Sequence, residues 1–243
     1  MFGNNKILAP VVHDGDFLEV QEIFQTLQGE GNFVGQPAVF IRLGGCNLAC
    51  KFCDTEFDNL EKISLENILQ KISDLSLNHL NQRVRNLVVI TGGEPFRQPI
   101  EKLCDRLIDA NFLVQIETNG TLFRNLNDKV KIICSPKATA KNIVNCIDQS
   151  TNSSLTQTQQ YHQIRPDLLA RITSFKFIIS AHQASYSSVP QVGQDRYQTT
   201  VFVQPMDEYD DQKNRENLQL AIKLCQENGY FLSLQTHKIV GLR

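Results

Sequence analysis

Short β-rich segments recur along this chain, and amphipathic helical patterns separate several of them. Residues 37–43 (PAVFIRL), 87–90 (LVVI), 112–117 (FLVQIE), 130–134 (VKIIC), 175–179 (FKFII), 199–204 (TTVFVQ) and 230–235 (YFLSLQ) each read as a strand. Residues 17–24 (FLEVQEIF) alternate like one. Between them, residues 64–77 place Leu65, Ile68, Leu69, Ile72 and Leu75 at helical spacing, with Ser64 as the N-cap. Residues 99–110 predict a helix with Pro99 at its first position. Residues 211–228 predict a long helix that stops at Gly229. Strands alternating with helices predict an α/β fold built on a mainly parallel sheet. About six parallel strands are countable, too few for a closed eight-stranded barrel. The pattern alone allows an open doubly wound sheet or a partial barrel.

Two segments interrupt the alternation. Residues 148–163 are rich in Ser, Thr, Gln and Asn and read as flexible. Residues 181–198 hold no clear helix, so one crossover is expected to be degenerate. The length of 243 residues fits a single domain over 1–243, with a flexible polar insertion at about 139–163. Lys plus Arg (24) nearly balance Asp plus Glu (26), which argues against a nucleic-acid partner. The first ten residues hold one Lys and no apolar run of signal-peptide length, and no stretch is long enough to span a membrane. The chain is therefore expected to be cytoplasmic, with reduced thiols and no membrane partner.

That leaves seven cysteines to explain, an odd number that does not read as a disulfide framework. Three of them, Cys46, Cys50 and Cys53, fall within eight residues of a loop that follows the strand 37–43. Gly44 and Gly45 open this loop, where glycine lets the backbone bend and approach a bulky group. Thiolates suit zinc or an iron–sulfur cluster. A closed zinc site and a plain electron-transfer cluster both need four ligands, and no fourth Cys or His lies nearby. Three cysteines would hold three irons of a cubane and leave the fourth iron open. Packing, or zinc completed by a distant ligand, stand as the other readings. Cys104, Cys134, Cys146 and Cys225 occur singly and are expected to pack.

The pattern Cys-x3-Cys-x-Phe-Cys resembles the signature of the radical S-adenosylmethionine (SAM) superfamily. Further segments resemble the 7-carboxy-7-deazaguanine synthase family: IFQTLQGEGNFVGQPAVFIRLGGCNLACKFCDT (23–55), TGGEP (91–95), IETNGT (116–121), SPK (135–137), VQP (203–205) and LQTHK (234–238). They run in family order from about residue 18 to the C-terminus. The QGEG segment joined to CDT and QTHK is more specific than TGGEP, which is general to the superfamily. The resemblance implies a partial (β/α) barrel of the radical SAM type. It implies a lyase that converts 6-carboxy-5,6,7,8-tetrahydropterin to 7-carboxy-7-deazaguanine, with loss of ammonia, in queuosine biosynthesis.

The same resemblance implies the site. Cys46, Cys50 and Cys53 would ligate a 4Fe–4S cluster whose fourth iron is chelated by SAM. Phe52, Cys53, Asp54, Gly93, Ser135, Pro136, Lys137 and Gln204 fall on the SAM side. Leu27, Gln28, Gly29, Glu30, Arg42, Thr91, His237 and the terminal Arg243 fall on the substrate side. Arg42 is suited to pair with the substrate carboxylate. The Thr55 hydroxyl would ligate Mg²⁺, with substrate oxygens and waters completing the octahedron. No acid or base is assigned, since SAM and the cluster would carry the radical chemistry. A flavodoxin or ferredoxin reductant and a homodimer are implied partners. Two rivals stay open at this point: a radical SAM activase of a partner protein, which the QGEG and QTHK segments disfavour, and a non-catalytic zinc module.

Overall fold

The computed structural model describes residues 5–53, 55, 60–142 and 159–242. Its strands are β1 (Phe17–Leu27), β2 (Pro37–Leu43), β3 (Glu61–Ser64), β4 (Leu87–Gly92), β5 (Leu113–Thr118), β6 (Lys131–Cys134), β7 (Ala138–Asn142), β8 (Gln159–Tyr161), β9 (Ile172–Ile179), β10 (Thr200–Pro205) and β11 (Phe231–Leu232). Its helices are α1 (Leu65–Ser76), α2 (Glu101–Asp109), α3 (Pro166–Leu169), α4 (Asp211–Asn228) and α5 (Thr236–Ile239). Nine strands form one sheet in the order β11-β10-β9-β6-β5-β4-β2-β1-β3. From β2 to β11 every pairing is parallel, while β1 runs antiparallel to both β2 and β3. The parallel strands follow chain order without reversal. A doubly wound sheet reverses at a switch point, so the topology selects the partial barrel.

Alternate residues of each strand face opposite sides of the sheet. On the helix-covered side, Val39, Ile41, Val88, Ile90, Val114, Ile116, Phe175 and Phe177 form the main core with Ile68 and Ile72 of α1, Leu103 and Leu107 of α2 and Ala221 of α4. Each large side chain buried there contributes about 1.5–3 kcal/mol. The inner side begins with a small apolar floor of Ala38, Leu87 and Val89, packed by Phe33, Phe40 and Leu113. Two or four residues further along the same strands, the inner side turns polar.

The helix ends show how far local chemistry decides. Ser64 caps α1, its hydroxyl accepting from the Asn67 N–H at 3.3 Å. Asp210 caps α4 by accepting from the N–H groups of Gln212 and Lys213, and Gly229 ends it at φ +72°. Pro99 is not the first residue of α2, which begins at Glu101. Residues 95–97 form a short 3-10 turn, and Gln98 stays extended before the proline, so the helix starts late. The segment 230–235 keeps only two residues of strand: Ser233 still donates its N–H to Val203 of β10, while its hydroxyl and the Gln235 amide bond the loop after β1 just before α5 begins. The strand β3, not expected from the sequence, pairs with the start of β1.

Residues 181–198 hold only two 3-10 turns, so that crossover lacks an α-helix as expected. The crossover from β5 to β6 also lacks one, which the sequence reading did not foresee. Asn119 and Gly120 (φ +83°) turn the chain there, and Leu126 and Val130 bury in the main core without a helix. The flanks of the expected polar insertion are paired, β7 antiparallel with β8. Residues 143–158, with Cys146, lie outside the described residues. Among the described residues no helix is long and apolar enough to cross a membrane.

Candidate active site

The C-terminal ends of the parallel strands surround a cavity of about 290 Å³. Inward side chains reach it from successive strands: Phe40 and Arg42 of β2, Thr91 of β4, Glu117 of β5, Lys176 and Ile178 of β9, and Gln204 of β10. The loop after β2 brings Cys46, Cys50 and Cys53 to the wall, and the loop after β1 brings Leu27, Gln28, Gly29 and Glu30. Phe52, Thr55, Gly93, Ser135, Lys137 and His237 line it as well. The site residues expected from the sequence therefore converge on one space. Pro136 is the exception among described residues, being buried outside the lining. Asp54 and Arg243 lie outside the described residues.

The cysteine loop is clamped from behind. Gly93 donates its N–H to the Leu43 carbonyl (3.1 Å), and Glu94 donates to Gly45 (3.0 Å). A Cβ at Gly93 would run into the Gly45 carbonyl oxygen, so this glycine is required by contact between the two loops. Gly45, at φ +76°, packs on the Arg97 guanidinium. Its conformational freedom serves that protein contact. Arg97 itself is buried, ion-pairs with Glu19 and donates to the Gly44 carbonyl. Fully buried Glu94 accepts from Thr118 Oγ1 (2.7 Å), Asn119 N (2.7 Å) and Phe96 N (3.0 Å), while burial pushes its carboxyl upward. Asn119 in turn donates to Asn47, next to Cys46. Arg97, Asn119 and Asn47 were not singled out from the sequence.

The three thiols suit a soft metal cluster. All are partly buried and face the cavity, whereas Cys104 and Cys134 are fully buried in the core and Cys225 packs against it on α4. Burial, then Glu94 and the neighbouring thiols, pushes Cys46 up to about 11, and burial raises Cys50 too. Bare thiolates at Cys46 and Cys50 are thus disfavoured, while metal coordination removes the protons outright. Among the described residues no three His, Cys, Asp or Glu gather tightly enough for one metal ion. Three soft sulfur donors on one loop, facing one cavity, fit a cubane held through three of its irons.

Beside the thiols, Lys137 Nζ donates to the carbonyl (2.7 Å) and hydroxyl (2.6 Å) of Ser135. Burial lowers its ammonium, against the thiols that favour the charge. Phe52 packs edge-on against Tyr186 at 5.1 Å. The Gln204 amide oxygen accepts from Ser233 Oγ at 3.1 Å, which orients it in the wall.

The opposite wall is charged. Arg42 Nε donates to Glu22 (2.8 Å), and its Nη1 to Thr55 Oγ1 (3.2 Å). Arg42 is thus partly engaged by the protein, which fixes the plane of its guanidinium. Gln28 accepts the Glu30 N–H through its own Oε1 (3.1 Å) and so shapes the loop. His237 stacks so closely on Gly29 that no Cβ fits between them. Glu30 accepts from Gln235 Nε2 (2.9 Å) and ion-pairs with Lys176. Glu117 and Lys176 were not identified from the sequence. The signal was a charged residue within an otherwise apolar strand, as in FKFII and LVQIET, because a buried parallel strand reads as continuously apolar.

A singly wound parallel sheet with three thiols at its rim defines a radical SAM protein, and the family model described as the Radical SAM superfamily matches residues 40–149. The chain is 52% identical over 242 residues to the 7-carboxy-7-deazaguanine synthase of Rickettsia prowazekii, covering 100% of this chain and 96% of that one. It is 36% identical over 262 residues to that of Rhodospirillum rubrum, covering 100% of both. The solved structure of QueE from Escherichia coli superposes with a TM-score of 0.64 at 25% identity, covering 90% of this chain and 93% of that one. The chain belongs to the 7-carboxy-7-deazaguanine synthase family, and with it to the enzymes that use a 4Fe–4S cluster and SAM.

Proposed function

We propose that this chain converts 6-carboxy-5,6,7,8-tetrahydropterin to 7-carboxy-7-deazaguanine and ammonia. The carrying observation is that one cavity is lined both by the three cysteines and by Gln28, Glu30, Arg42 and Glu117. The cluster and SAM supply, when bound, one-electron cleavage of the sulfonium and a radical able to take hydrogen from the substrate. The chain's own residues hold, orient and enclose. Cys46, Cys50 and Cys53 are the iron ligands. Ser135, Lys137, Gly93, Phe52 and Gln204 form the wall for SAM. Arg42, its plane set by Glu22, meets the substrate carboxylate. Gln28 and Glu30 meet the polar edge of the pterin, with His237 stacked behind Gly29.

Thr55 is proposed as a Mg²⁺ ligand. Its hydroxyl lies beside the Arg42 guanidinium, so a cation there needs the substrate carboxylate between the two positive groups. This reading makes the ion bind with substrate. The reductant is proposed to be a flavodoxin or ferredoxin.

The test is an anaerobic assay with the carboxytetrahydropterin, SAM, Mg²⁺ and a reduced flavodoxin or ferredoxin, read by mass spectrometry. The expected product is the deazaguanine, with SAM regenerated and the rate falling when Mg²⁺ is chelated. Stoichiometric SAM consumption without deazaguanine would refute the substrate assignment. A homodimer is proposed from family membership, and sedimentation should give about twice the chain mass of 27.6 kDa. A monomer at micromolar concentration would remove that proposal.

A further inference from the structure

Lys176, in the cavity wall, ties two carboxylates together. It sits on β9, on the inner face, and its side chain is 8% exposed. Its ammonium ion-pairs with Glu30 from the loop after β1 and with Glu117 of β5, the latter at 2.6 Å. The other oxygen of each carboxylate also has a donor: Gln235 Nε2 on Glu30 (2.9 Å) and Gln115 Nε2 on Glu117 (2.8 Å). A carboxylate offers about four lone-pair sites over its two oxygens. Each acid therefore keeps acceptor capacity while being held rigidly, and all three groups line the cavity.

Two buried carboxylates facing one space repel each other and tend to share a proton. The ammonium between them removes that conflict. Burial alone would raise the Glu30 carboxyl, but Lys176 and Gln235 hold it down at about 2. The two carboxylates drive the Lys176 ammonium upward in spite of burial. The triad carries one positive and two negative charges, so its net charge is negative. Such a surface accepts N–H groups and rejects carbonyl oxygens.

We infer that Lys176 is a positioning residue that fixes Glu30 and Glu117 as a paired acceptor for the amino-amidine edge of the substrate. That edge is the 2-amino group with its neighbouring ring N–H. Lys176 thereby sets specificity for 2-amino bicycles over their 2-oxo counterparts. The inference rests on the proposed substrate.

The experiment measures equilibrium binding to the holoenzyme with SAM and no reductant, so that no turnover occurs. The probes are 6-carboxytetrahydropterin and its 2-oxo analogue, a carboxytetrahydrolumazine. Wild type should bind the first and discriminate against the second. Lys176→Met should weaken the pterin by about 10–100-fold, the scale of hydrogen bonds to charged groups, with little effect on the lumazine. Lys176→Met/Glu117→Gln keeps the net charge of the wild-type triad, one negative, and serves where the single variant does not fold; it should show the same loss of discrimination. Wild-type discrimination in either folded variant overturns the inference, as does an equal loss for both probes, which marks a merely structural lysine. Failure of wild type to bind the pterin instead removes the substrate assignment, and this inference with it.

Discussion

Cys50→Ala is expected to abolish SAM cleavage, by about 10³-fold or more, the scale of removing a member of a unit that works only when complete. Cys50 lies mid-loop, partly buried and facing the cavity with Cys46 and Cys53. No other described cysteine can replace it, since Cys104 and Cys134 are fully buried in the core and Cys225 sits on α4. The measurements are iron content, visible absorbance and methionine release after anaerobic reconstitution. The paired control is Cys104→Ala, whose thiol burial pushes upward and makes inert. It should keep the cluster and cost about 1 kcal/mol of stability. Intact iron and SAM cleavage in Cys50→Ala would remove the cluster assignment.

The second large effect is expected at a residue with no side chain. Gly93→Ala places a Cβ against the carbonyl of Gly45 and near the amide of Cys46, both backbone atoms. Neither can move without shifting the cysteine loop, which Glu94 N–H and the Arg97 guanidinium hold in place. Overpacking of this kind costs about 3 kcal/mol, or roughly 6–12 °C in Tm for a chain of this size. Iron incorporation should fall with it. Gly35→Ala is the comparison, because its Cβ would meet nothing within 4 Å and only the φ of +85° opposes it. That variant should lose about 1 kcal/mol and retain iron. A Gly93→Ala protein with unchanged Tm and a full cluster would show that the two loops are not locked together.

Most strands and the long helices were legible because their signals are local. Ser64 and Gly229 mark helix ends through bonds within one turn, and the apolar runs mark strands buried on the outer face. Pro99 misled because the Gln98 conformation and the short turn before it, not the proline, set where α2 begins. The segment 230–235 misled because its β propensity carries no sign of the bonds that Ser233 and Gln235 make with the distant loop at 29–31.

The candidate site divides in the same way. Cys46, Cys50 and Cys53 are chain neighbours, so eight residues of sequence suffice to recognise three ligands with one iron left open. The resemblance extended this to Gln28, Arg42, Lys137 and Gln204, and the structure brings all four to one cavity. The Glu30–Lys176–Glu117 triad had no such signature. Its partners are separated by 146 and 59 residues and meet because the loop after β1 and the strands β5 and β9 face one cavity. Local spacing determines what a loop can ligate and where a helix can start. Only the tertiary arrangement decides which distant charges must neutralise one another, because a buried charge takes its partner from whatever the fold sets beside it.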